Sequence, residues 1–175
     1  IQYAIDNATA GDTIYVSDGT YGEEINLNNK WVSVRSLNGN TNCIIEATDN
    51  SKDVITASSG ETNATEIIGF TIKNGSDGVS CSNGSSPIIS NCLFIGNGNA
   101  VSTEAGAING NFYNNTYSSN NKDYIMVTGS TIGHTKAANK DVTYTWKKDG
   151  APYVVSADLT INPSGSTIPS TTTWI

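Results

Sequence analysis

The sequence predicts an all-β fold: a right-handed parallel β-helix of about five coils, with a short N-terminal capping helix and a C-terminal β extension. Three observations predict it. Short apolar runs recur along the chain with Gly and Asn turn signals between them, and no long helical period separates them. The stretch EIIGFTIKNGSDGVSCSNGSS is followed by a related one, PIISNCLFIGNGNAVSTEAG, and then by a weaker copy, AINGNFYNNTYSSNNKDYIMVTG. Charged residues make up only 14% of the 175 residues and hydrophobic residues 37%, with Gly, Asn, Ser and Thr filling the gap. That balance suits many turns, because Gly and Asn accept positive φ.

The elements follow in order. Ile1, Ala4, Ile5 and Ala8 lie on one face of a short helix, which Gly11 stops. TIYV is a strand and DGTYGEE a turn. EINLN, WVSVRS, NCIIEA, DVITAS, EIIGFTI, DGVSCS, PIISNCLF, NAVSTE, INGNFYNN and DYIMVT are further short strands. In the repeat, Ile67 aligns with Ile88, Ile68 with Ile89, Phe70 with Cys92, Ile72 with Phe94 and Val79 with Val101, an offset of 19 to 22 residues. Several strands within so short a period make one coil per repeat, a self-similarity that a sandwich would not require. Alternation inside each strand points Ile68, Phe70, Ile72, Val79, Ile89, Phe94 and Val101 inward. Residues 13 to 129 then build a rod roughly 25 Å long, at ~4.8 Å per coil.

Beyond residue 129 the texture changes. STIGHTKAANKD is loop-like, VTYTW, PYVVSADLTIN and STTTWI are strand-like, and Lys136, Lys140, Lys147 and Lys148 cluster. The expected division is a β-helix with its N-terminal cap over 1–129 and an extension over 130–175. An isolated strand pair is marginal in water, so the extension needs a partner surface. Its own last coil or an edge on a neighbouring copy would serve. Self-association through these strands, giving a filament or array, is the expectation.

Net charge is −7, with a single arginine, Arg35, and eight scattered lysines. No basic stripe exists for nucleic acid. The acidic surface would repel polyuronates unless a cation bridges them. No run approaches the ~20 apolar residues of a membrane span. A chain beginning at Ile1 implies a removed leader or a fragment of something longer. Three cysteines, Cys43, Cys81 and Cys92, fit no zinc spacing, and no cofactor or metal is expected. Cys81 and Cys92 are either two inward core thiols or a disulfide across one coil, while Cys43 reads as a buried free thiol. Sequons at Asn7, Asn63, Asn74, Asn83 and Asn114 are candidate N-glycosylation sites and point towards an extracellular surface.

The runs IQYAIDNATAGDTIYVSDGTYGEEINL, KWVSVRSLNGNTNCIIEA, IIGFTIKNG and SSPIISNCLFIGN resemble the pectin-lyase-like parallel β-helices of large bacterial and archaeal surface proteins. The resemblance covers residues 1 to about 105 and implies fold more than function, because this superfold hosts lyases, esterases, adhesins and structural proteins. The segment PYVVSADLTINPSGSTI is similar to the start of a further β-helical stretch.

That resemblance implies a search for lyase chemistry, which needs a Lys or Arg base and acids to hold Ca²⁺. Asp49, Asp53, Glu61, Glu66, Asp77 and Glu104 are the candidate acids and Lys73 the base near them, though each is equally a solvated turn residue. An esterase would need an arginine on central coils, whereas Arg35 is near the N-terminal end. Gly133-His134 has no paired aspartates before it, as a polygalacturonase would. Asn74, Asn91, Asn97 and Asn111 recur at similar repeat positions and read as turn or stacking amides. Trp31 is expected to pack in a coil or cap, leaving Trp146 and Trp174 as the contacts for a glycan or partner. The expectation is a non-catalytic extracellular module, structural or adhesive, at the cell surface; the alternative is a carbohydrate-active module that binds or cleaves polysaccharide.

Overall fold

The computed structural model describes residues 1–129, 131–133 and 145–162. The chain is a parallel β-solenoid of about five turns, each of which gives one strand to each of three sheets. The first sheet stacks Thr13–Val16, Ser33–Ser36, Glu66–Ile68, Ile88–Ser90 and Phe112–Tyr113. The second stacks Gly19–Gly22, Cys43–Glu46, Thr71–Lys73, Leu93–Ile95 and Thr116–Ser118. The third stacks Ile25–Asn26, Ile55–Ala57, Asp77–Cys81, Asn99–Thr103, Lys122–Val127 and Tyr153–Val155.

Inward residues of successive coils lie on one another. Val34, Ile67, Ile89 and Phe112 form one column. Ile45, Ile72, Phe94 and Tyr117 form a second, in which the Phe94 and Tyr117 rings stack at 5.2 Å and 7°. Ile55, Val79, Val101 and Ile125 form the third. All but Tyr117 are buried.

One predicted register shifts by a residue. Ile67 pairs with Ile89 and Ile68 with Ser90, so Ile67 is buried and Ile68 faces outward. The cause is the corner between the first two sheets. Gly69, at φ +82°, turns the chain there and breaks the period-two alternation. Asn91 and Asn114 take the same left-handed geometry in the next coils. Inward residues are therefore three apart across this corner, as in Ile67 and Phe70, Ile89 and Cys92, or Phe112 and Asn115.

The N-terminal end is closed as the sequence predicts. Helix Gln2–Asn7 buries Ile5 against the first coil. The Gln2 carboxamide donates to Asn26 O at 3.0 Å and accepts from Asn26 N–H at 2.7 Å, so a side chain takes the place of a neighbouring strand. At the other end, Tyr153–Val155 pairs in parallel with Ile125–Val127, and Thr160–Asn162 pairs with Thr131–Gly133. The third sheet thus runs across the boundary placed at residue 130, and Tyr153–Val155 uses its own last coil as the surface it needs.

Candidate functional site

A polar groove of about 1140 Å³ runs along the corner between the second and third sheets. Thr48, Asp49 and Asn50, in the turn after Cys43–Glu46, form one wall. Gly75, Gly96 and Gly98 line it from the next two coils, with Asn99 and Lys122 at the far side. The glycines are there because backbone packs on backbone: a Cβ on Gly75 would meet Val54 Cγ2 at 2.7 Å, and one on Gly98 would meet the Ser76 carbonyl. The floor therefore offers peptide groups rather than side chains.

Beside this groove sits the nearest approach to acid–base chemistry. The Asp77 carboxyl accepts from the Asn99 amide, and the Asp77 N–H donates to Asp53 Oδ1 at 3.1 Å. Burial pushes the Asp77 carboxyl above its ordinary value; the Asn99 bond opposes this and the Asp53 charge adds to it.

The other candidate acids hold turns and strands together. Buried Glu61 accepts the N–H groups of Asn29 at 2.8 Å and Ser59 at 2.9 Å, tying its turn to the coil below. Burial pushes its carboxyl up, but those N–H donors and the Ser85 hydroxyl outweigh the effect and hold it below the usual range. Glu104 accepts from Asn83 N and Gly84 N. Asp49 accepts from Ser51. Glu66 Oε2 accepts from Ser33 and Arg35, and Lys73 pairs with Glu46 at 3.1 Å. Among the described residues no three His, Cys, Asp or Glu side chains converge as a metal site would require. No family model matches this chain, and no curated protein or solved structure matches it.

Cys43, Cys81 and Cys92 are all buried free thiols, so Cys81 and Cys92 form no disulfide. Cys81 lies in the third sheet beside Ala57, whereas Cys92 lies at the corner between the first and second sheets. Burial pushes the Cys81 thiol up to about 12 and those of Cys43 and Cys92 to about 11, which leaves little thiolate at neutral pH.

The asparagines divide by position. Asn74 and Asn91 are left-handed corner residues at φ +64° and +56°. Asn97 and Asn111 are buried and bond backbone of the coil below, through Ile72 O and Pro87 O. Sequence reasoning missed Asn115 and Asp149. Asn115 accepts Cys92 N–H at 2.9 Å and donates to Ile89 O, while Asp149 caps it from above. The available signal was the three-residue step from Phe112, which puts Asn115 over Cys92. All five sequon asparagines are exposed.

The tryptophans exchange their expected places. Trp146 is partly buried, 5.4 Å from Tyr153, and packs in a small cluster with Ala105, Ile108 and Val127. Trp31 is 52% exposed. Trp174 and His134 lie outside the described residues.

Proposed function

We propose that this chain is a non-catalytic extracellular module, structural or adhesive, displayed at the cell surface, as the likeness to pectin-lyase-like surface proteins implies. One observation carries the reading: the acids and the lysine that a lyase would use are spent on turns, ladders and ion pairs of the rod itself. Glu61, Glu66, Glu104 and Lys73 each have structural partners. Incubation with polygalacturonate and calcium, following unsaturated product by absorbance, tests it. No turnover is expected, and turnover abolished by Lys73→Ala would establish the carbohydrate-cleaving alternative. Protease treatment of intact source cells, followed by immunoblotting, tests the location; a protein protected from protease would refute it.

A second reading, self-assembly through the C-terminal strands, is favoured by the outer edge of Tyr153–Val155. No described strand pairs with that edge, and Val154 and Val155 are 37% and 45% exposed. Such an edge is a template for another chain. Sedimentation of the full chain, compared with Val154→Lys, distinguishes a filament from a monomer.

A further inference from the structure

The outer face of the first sheet carries an aromatic platform that neither the groove nor the C-terminal edge explains. In the strand entered through Trp31, Val32 and Val34 are buried, which directs Trp31, Ser33 and Arg35 outward. Tyr15 pairs in register with Arg35 on the adjacent strand and is 64% exposed. Leu37, just past the strand, is also exposed. The same outward row passes through Ile68 and Ser90 to Tyr113 on the fifth coil, so exposed aromatic rings stand at both ends of four strand spacings, ~19 Å apart.

A polar pair lies among these rings. Arg35 Nη2 donates to Glu66 Oε2 at 2.6 Å, and Arg35 Nε donates to Ser33 Oγ, which donates to Glu66 Oε2 at 2.7 Å. Those bonds fix both side chains on the sheet. Arg35 Nη1 and Glu66 Oε1 take no part in them, which leaves a donor and an acceptor side by side beneath solvent. The pair is neutral as a unit.

We infer that this face binds an uncharged polysaccharide, an inference that rests on the adhesive reading of the module. Three features select that chemistry. Exposed Trp and Tyr rings held on a rigid sheet give apolar faces to sugar C–H groups at small entropic cost. The free donor and acceptor of Arg35 and Glu66 match neighbouring hydroxyls on one ring. The net charge of −7 repels polyanions and favours a neutral chain. The groove at the other corner has no aromatic residue in its lining and cannot stack a sugar in this way.

Retention of the protein on insoluble cellulose, chitin and mannan, with polygalacturonate as the anionic control, tests the inference. The wild type is expected to be retained by at least one neutral polymer. Trp31→Ala and Tyr15→Ala should each weaken retention by roughly tenfold, whereas Trp31→Phe should keep most of it. Circular dichroism melts of each variant identify any loss due to unfolding. Retention that survives Trp31→Ala with Tyr15→Ala, or that falls only in an Asn99→Ala/Lys122→Ala groove variant, sinks the platform while leaving adhesion standing. Absence of retention on every neutral polymer also overturns it, and adhesion of coated beads to cells then judges the module separately. A dimer abolished by Trp31→Ala would show that the face binds a second copy instead.

Discussion

Asp149 Oδ2 accepts two hydrogen bonds at once, from the Asn115 amide at 2.7 Å and from the Tyr117 hydroxyl at 2.9 Å. Its other oxygen accepts the Asn115 N–H at 3.1 Å. Three donors on the fifth coil thus converge on one buried carboxylate from a segment that no repeat predicts. Gly150 follows at φ +72°, where a Cβ would meet Asn115 O at 2.9 Å, so the chain crosses the end of the rod in close contact.

Asp149→Ala strands those three donors. The cost should be about 2–4 kcal/mol in urea unfolding, since hydrogen bonds to a charged group are worth roughly 1.5–3 kcal/mol each and not all losses add. Hydrogen exchange should quicken first in Tyr153–Val155. Unchanged exchange there would show that Asp149 does not anchor the end.

Phe94→Ala opens a hole between Ile72 and Tyr117 and should cost about 3–5 kcal/mol. Ile68→Ala, two residues before Phe70 but outward, should cost well under half of that. Equal losses in denaturant titrations would contradict the corner at Gly69.

Alkaline pH should weaken the C-terminal end. Burial, then the Asp149 charge, pushes the Tyr153 hydroxyl up to about 12, against about 10 when unfolded. A folded value above the unfolded one gives stability that is complete below about pH 10 and lost as pH climbs towards 12. Tyr117 is shifted the same way by burial and by Asp149. Urea midpoints measured across that window should fall for the wild type and fall less for Tyr153→Phe; parallel slopes would refute the linkage.

Acid acts through Glu61 with the opposite sign. Its folded value lies below the unfolded one, so its contribution is full above the unfolded value of about 4.3 and is lost as pH falls through the lower folded value. Glu61→Gln should therefore cost stability at neutral pH, with the gap to wild type narrowing below about pH 4. A gap independent of pH would mean that shape, not charge, matters at this turn.

The coils were legible because Phe70 and Cys92, Ile72 and Phe94, and Val79 and Val101 repeat apolar character at one spacing, and stacking demands it. The phase of Ile67 and Ile68 was not, because both are isoleucine and a single left-handed glycine decides which one enters the core. For Trp31 the signal was present in WVSVR, whose valines claim the interior and leave the tryptophan outside. Trp146 and Asp149 lie where no repeat exists, so nothing in spacing ties them to Tyr153 or Asn115. Glu61 looked like any turn carboxylate, since its partners Asn29 and Ser59 belong to different coils.

The register between the third and fourth coils is a constant 22 residues, from Ile67 to Ile89, Ile72 to Phe94 and Val79 to Val101. That constancy makes the rod a ruler with fixed graduations. Excising one such unit, so that Glu66 is followed by Ile89, shortens the solenoid by a single strand spacing of ~4.8 Å and keeps its cross-section. An edit one residue longer or shorter turns each strand beyond it inside out. Length in this molecule is counted in whole turns.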